Sequence, residues 1–389
     1  MTQPIDPAAL LKALIACRSV TPADGGAQAF LARVLAGAGF SVVSKTFSAT
    51  GTPDVDNLFA SIGGGQPHLV FAGHTDVVPP GDEQRWSHPP FAAEIADGVV
   101  YGRGAVDMKG AIACFVAAAL AFIKERPMIN GALSLLITGD EEGPAINGTA
   151  KLIDWARSQS RAFDAALVGE PTSERRLGDT IKIGRRGSLS ATVRVTGRQG
   201  HAAYPHLADN PIPHLIRVLD RLTRLKLDGG SAAFAPSNLE ITSVDVGNPA
   251  FNVIPDVASA RLNVRFNDRW SAASIEEHLR NEVAVAAGRA SQKFRVEPGA
   301  SDWFLTRPGP LAEMLSATIR DVTGAAPLTS TGGGTSDARF FKDVCPVVEF
   351  GLVGDSMHQI DERVPLADLD ALTAIYRGFL DRFFRAGRP

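Results

Sequence analysis

The chain is poor in cysteine, with Cys17, Cys114 and Cys345 the only three among 389 residues. An odd number, with no Cys-x-x-Cys pair, argues against a disulfide framework and against a thiolate metal site. Each stands in apolar surroundings and reads as a small core residue, which fits a protein kept in a reducing cytosol. Charge of one sign is also lacking. Lys and Arg number 39, Asp and Glu 42, and the net charge is −3. The pairs Arg175-Arg176 and Arg185-Arg186 are too short to track phosphates, so no nucleic-acid partner is expected. Met1 to Pro22 has no basic start leading into a long apolar run, so no signal peptide is expected. The longest apolar stretch, Ala111 to Ile123, is too short for a bilayer, and its alanines suit a buried helix. Internal repeats and low-complexity tracts are missing too.

What is present is an ordinary globular composition, 45% hydrophobic and 21% charged, in a chain long enough for two domains. Helical spacing of apolar residues occurs over 5–16 and 27–38. Strands are expected at 40–43, 57–62, 68–73, 131–138 and 165–169, and helices at 108–124 and 149–158. Alternating strands and helices predict an α/β fold with a mainly parallel, mixed sheet between helices. The pattern changes near residue 180. Ile181 to Ile183, Leu189 to Thr196, Asn238 to Val246 and Ala258 to Asn267 alternate with period two, with helices expected at 211–225 and 274–287. One face exposed and the other covered by helices is an α+β arrangement. The α/β pattern resumes with a helix at 310–323, a strand at 347–350 and a helix at 366–384. The sequence therefore predicts a discontinuous catalytic domain, 1–185 and 298–389, interrupted by an inserted domain, 186–297.

The chemistry-bearing residues stand at the ends of these elements. His74 ends the apolar run that starts at His68, and Asp76 follows two residues later, on the same side of an extended chain. Asp107 lies in the Gly-rich stretch Tyr101 to Gly110, at a helix entrance where a plain N-cap is the simpler reading. Asp140-Glu141-Glu142 follows a buried strand. A solvated loop tolerates three adjacent carboxylates, whereas a divalent cation turns their repulsion into binding. One of these carboxylates can then ligate while its neighbour serves as general base. Glu170 follows another apolar strand and is stopped by Pro171; His358 lies in a late loop. Each alone is more simply a capping or packing residue. Together they place His and carboxylate ligands where open α/β sheets gather their ligands. Imidazole and carboxylate without thiolate suit Zn²⁺, with Co²⁺ or Mn²⁺ able to substitute. Two further motifs stand apart. His201, after Gly200, is placed to donate to an oxyanion. Thr331 to Arg339 is either a mobile linker or a carboxylate cradle at a helix N-terminus.

In Gly73 to Pro79, Trp86 to Phe91, Tyr101 to Gly110, Asp140 to Gly143, Gly169 to Thr172, Ile181 to Ser188, Gly200 to Pro213 and Gly332 to Phe340, the chain resembles the zinc-dependent aminoacylase–carboxypeptidase superfamily of di-metal amidohydrolases. The resemblance runs almost end to end. It implies two Zn²⁺ per subunit, one on His74, Asp107 and Glu170, the other on Asp107, Glu142 and His358. It implies Glu141 as general base, Asp76 orienting His74, and His201 steadying the oxyanion in a partner's active site. Arg185, Tyr204, Asn252, Arg265 and Thr335 become the expected substrate contacts, the arginines because guanidinium forks bind carboxylates bidentately. The inserted domain becomes an expected lid and homodimer interface. The last three stretches imply an N-succinyl amino acid as small-molecule substrate, with another N-acyl amino acid such as acetylornithine as the alternative. The reading from another class is a metal-free scaffold, which would leave five ligand-type residues without a shared purpose.

Overall fold

The computed structural model describes residues 6–307 and 309–386. The chain forms two compact units. One comprises the chain up to Gly184 together with Leu305–Ser330 and the part from Ser336 onward; the other comprises Arg185–Phe304 and Thr331–Thr335. The second unit therefore extends past the expected boundary at 297, where Ser301 still pairs with Ser188.

The first unit is built on an eight-stranded mixed sheet. Its order is Ser41–Phe47, Val55–Gly64, Gly131–Thr138, His68–His74, Ala165–Val168, Val347–Glu349, Thr180–Lys182, Leu328–Ser330. The four strands from Gly131–Thr138 to Val347–Glu349 are mutually parallel. Every residue of His68–His74 and of Gly131–Thr138 is buried, as expected for strands covered on both faces. The helix Lys109–Glu125 packs against the last helix, Leu366–Ala386, and against Pro7–Ala16. Of the expected first helix, residue 5 lies outside the described residues.

Because those four strands run the same way, their carboxyl ends open on one edge of the sheet. The segments leaving that edge carry His74, Glu141-Glu142, Glu170 and His358. Beneath it the core is aromatic. Phe71, fully buried, stacks on Phe115 at 4.0 Å between ring centroids and meets Tyr376 edge-on at 6.0 Å. Phe71→Ala is expected to lower unfolding free energy by about 3–5 kcal/mol in a urea titration. An unchanged midpoint and slope would show that this packing contributes nothing. Gly351 shows how closely the strands' exits are laid together. A Cβ there would sit 2.5 Å from the Glu170 carbonyl oxygen and 2.6 Å from that of Gly169.

The second unit carries a four-stranded antiparallel sheet in the order Asn238–Asp245, Val257–Phe266, Gly187–Thr196, Ser291–Val296. Gly187–Thr196 alternates buried and exposed positions, and the helices Pro211–Thr223 and Ala272–Ala287 cover the buried face. The apolar face of Pro211–Thr223 is accounted for by this core, where Leu215 and Leu222 are buried and Ile212 and Leu219 pack against it.

Two sequence expectations are corrected. Ile181 does not belong to the one-faced sheet. Thr180–Lys182 is a wholly buried strand of the large sheet, between Val347–Glu349 and Leu328–Ser330. Its short apolar-polar-apolar run resembled the alternation that follows it. The edge strand Ser291–Val296 went unpredicted, since Phe294 is its one buried residue and the rest reads as polar loop. Among the described residues no helix is long and apolar enough to cross a membrane.

Candidate metal centre

His74 is the last residue of a fully buried strand, and its ring is oriented by main chain. Nδ1 lies 2.9 Å from the Asp76 carbonyl oxygen, which can only accept, so Nδ1 carries the proton. Nε2 is thereby left for a ligand, the usual arrangement of a metal-binding histidine. It faces Asp107 Oδ1 at 3.2 Å and Glu170 Oε1 at 3.7 Å. The Asp76 carboxylate stands farther off, 3.6 Å from Nδ1. Its oxygens instead accept the main-chain N–H groups of Glu141 at 3.2 Å and Glu142 at 3.0 Å. Asp76 therefore holds the acidic loop as well as standing beside His74.

Asp107 does not cap the helix that follows it. The cap position is Met108, and no side chain closes that end. The Asp107 carboxylate points the other way and divides between two imidazoles, Oδ1 toward His74 and Oδ2 toward His358 Nε2 at 3.1 Å. His358 Nε2 also meets Glu142 Oε1 at 2.9 Å. The donor atoms of His74, Asp107 and Glu170 lie within 4.8 Å of one another, and so do those of Asp107, Glu142 and His358. Asp107 belongs to both triads. A third grouping within the same limit joins His74, Glu141 and Glu142.

The electrostatics of this cluster suit cations. Burial would lower the His74 pKa, but hydrogen bonding to Asp107 and the charges of Glu141, Asp107 and Asp76 hold it well above the usual imidazole range. Hydrogen bonds to Asp107 and Glu142 push His358 up to about 10. Burial would raise Asp107, yet the two histidines keep it below the ordinary carboxylate range. Burial and then the Glu170 charge raise Glu141 well above an ordinary carboxylate. Burial also raises Asp76, to about 6, against the pull of His74. Each imidazole proton stands between carboxylates where a divalent ion would satisfy the same oxygens. The donors are nitrogen and oxygen only, a set that fits Zn²⁺ and its first-row relatives. Asp140, which the sequence offered only as part of an acidic run, closes the loop behind Glu141-Glu142. Its Oδ2 accepts from the N–H groups of Ile146 at 2.8 Å and Asn147 at 2.7 Å.

The remaining sequence-predicted site residues belong to the second unit, in two groups. Arg185, largely buried, donates from Nη1 to the Gly334 carbonyl at 3.1 Å, and Arg265 Nη1 lies 3.5 Å from Thr335 Oγ1. At Gly334 the glycine-rich segment thus offers Arg185 a carbonyl acceptor. His201 and Tyr204 lie close, ring centroids 5.6 Å apart, and the His201 Nδ1 accepts the Ala203 N–H at 3.0 Å. Asn252 joins them through its carbonyl, which accepts the Ala202 N–H at 2.9 Å. His201, Tyr204 and Asn252 are exposed. The cysteines are all free; Cys114 is buried, while Cys17 and Cys345 are only partly so.

The α/β sheet with two carboxylate-linked histidine triads at its carboxyl edge defines a candidate centre for divalent cations of the kind used by hydrolases. Residues 70–382 match Peptidase family M20/M25/M40, and the chain belongs to that family. It is 57% identical over 380 residues to a Methylorubrum extorquens protein named succinyl-diaminopimelate desuccinylase, covering 97% of this chain and 99% of the other. A Methylobacterium nodulans protein of the same name is 58% identical over 380 residues, 97% of this chain and 96% of its own. Among solved structures, an M20 family metallo-carboxypeptidase from Sulfolobus solfataricus shares the fold with a TM-score of 0.81 at 17% identity, over 98% of this chain and 99% of that one.

Proposed function

We infer that the chain hydrolyses N-succinyl-LL-2,6-diaminopimelate to succinate and LL-2,6-diaminopimelate, a metal-dependent amidohydrolase step in lysine and diaminopimelate biosynthesis. The observation that carries the reading is Asp107 shared between two histidine–carboxylate triads, in a chain alike nearly end to end to proteins named for that activity. His74, Asp107 and Glu170 would hold one divalent cation, and Asp107, Glu142 and His358 the other. Zinc suits the donors best, with cobalt or manganese able to replace it. Bound there, the cations would acidify a water and polarise the scissile carbonyl.

The residues of the chain supply the rest. Glu141 accepts a proton from the attacking water, whose oxygen bonds to the succinyl carbonyl carbon. As the tetrahedral species collapses, the carbon–nitrogen bond breaks and Glu141 returns its proton to the leaving amine. Asp76 keeps Glu141 and Glu142 in register through their main-chain N–H groups. Arg185, Tyr204, Asn252, Arg265 and Thr335 are proposed substrate contacts, and His201 a proposed oxyanion donor; motif matching supports these roles. His201→Ala is expected to lower kcat by about 10²–10³-fold with metal content unchanged, and an unaltered kcat would remove it from the mechanism. A cytosolic homodimer through the second unit is proposed on the same motif basis. The exposed Val244 and Phe251 of that unit are apolar surface such an interface could use.

The test is a substrate panel with zinc supplied. Initial rates on N-succinyl-LL-2,6-diaminopimelate should far exceed those on acetylornithine. The reverse order would move the assignment to another N-acyl amino acid, and no hydrolysis of either would overturn it.

A further inference from the structure

Glu362 is fully buried, and one stretch of chain is wrapped around its carboxylate. Oε1 accepts the N–H groups of Val106 at 2.9 Å and Asp107 at 3.3 Å. Oε2 accepts from Arg103 Nη1 at 2.7 Å and from the Gly104 N–H at 3.1 Å. The Glu362 carbonyl takes the Gly102 N–H at 2.8 Å. Arg103, nearly as buried, then reaches onward. Nη1 donates to the Gln359 carbonyl at 3.2 Å, and Nη2 lies 3.4 Å from the His358 carbonyl and 3.5 Å from that of Pro79. Its guanidinium lies over the Trp86 ring, 5.1 Å from the centroid.

A buried ion pair is a poor source of stability, because desolvation offsets most of its attraction. What this pair does is join three irregular segments: the turn after His74, the run ending in Asp107, and the loop carrying His358. His358 lies outside helix and strand with φ of 62°, and Asp361, three residues on, has φ of 58°. His74 ends a strand of the large sheet, and Glu170 lies two residues beyond the end of another. The two triads therefore differ in what supports them. His74 and Glu170 are held by the sheet, Asp107, common to both triads, gives its N–H to Glu362, and His358 is held by the Arg103–Glu362 clamp.

We propose that Arg103 and Glu362 are positioning residues for one cation of the pair, the one on Asp107, Glu142 and His358. The inference rests on the two-cation reading given above. Glu362→Gln keeps the shape of the side chain. All four groups facing the carboxylate are N–H donors, however, so the new NH₂ must oppose two of them whichever way it turns. Arg103→Lys keeps the charge and loses the fork.

The chelated wild type, E362Q and R103K are titrated with Zn²⁺ by calorimetry, and bound metal is counted after gel filtration. In R103K the first equivalent should bind as in wild type and the second dissociation constant should rise about 10–100-fold; in E362Q, which also disturbs the Asp107 N–H, the second step should weaken more than the first. With Co²⁺, the visible absorption added by the second equivalent should appear only at correspondingly higher concentration. Unchanged constants, or equal weakening of both steps, would overturn the proposal. If E362Q does not fold, R103K decides; an unfolded circular dichroism spectrum for both would mark the pair as structural only. Wild type binding fewer than two equivalents would instead remove the two-cation reading itself, whatever the variants do.

Discussion

Glu141→Gln is expected to retain both equivalents of metal and to lose about 10²–10⁴-fold in kcat, the usual contribution of a positioned general base. The substitution keeps the size of the side chain and removes its ability to take a proton. Glu141 lies beside Glu142 in the loop that Asp76 holds by two main-chain N–H bonds. Neither of those bonds involves the Glu141 side chain, so the loop should keep its shape. Metal counting separates two roles, because Glu141 also falls in a possible ligand grouping with His74 and Glu142. Full metal content with the rate lost identifies a base. Metal lost together with the rate identifies a ligand, and a normal rate excludes both.

Removal of metal by a chelator is expected to abolish turnover, and return of Zn²⁺ to restore it with a definite pH dependence. In the chelated protein His358 has a pKa of about 10, and His74 also lies well above its ordinary value. Both are protonated at neutral pH, and ligation needs them neutral, so protons and cations compete. Calorimetry in buffers of different ionisation enthalpy should show about two protons released per pair of cations bound near pH 7. Affinity should fall as pH is lowered. For the chelated protein the stability trend has the opposite sign. A histidine whose pKa is raised on folding stabilises the folded state fully below its unfolded value of about 6.5, and that contribution is lost as pH rises through about 10. Thermal unfolding of the chelated protein should therefore move to lower temperature between pH 7 and 10, more steeply than that of the zinc-loaded form. Zinc uptake without proton release would contradict the histidine assignments.

His74 and Glu170 were legible in the sequence because each closes an apolar run, and apolar runs broken by a polar residue mark strand ends. Glu141 and Glu142 were legible for the same reason, and their adjacency suggested two roles. The function of Asp107 was not settled locally, since an acid at a helix entrance is ordinarily a cap. In the structure Met108 takes the cap position, and the Asp107 carboxylate faces two imidazoles. Arg103 stood within Tyr101 to Gly110 without a role and Glu362 was not singled out, because nothing in residue type or spacing says that positions 259 apart meet. The strand Ser291–Val296 was invisible because an edge strand needs few apolar residues.

By itself the sequence determined the inventory: alternating strands and helices, an insertion of different periodicity, and imidazole and carboxylate donors at element ends with no thiolate among them. Local patterning suffices for these, because burial on one or both faces writes its period directly into the chain. Only the tertiary structure decided that the parallel strands open on one edge, that the Asp107 carboxylate faces away from the helix toward two imidazoles, and that the Asp76 carboxylate holds a loop while its carbonyl orients His74. Those outcomes depend on which distant segments are brought within hydrogen-bonding reach, and sheet order and register set that.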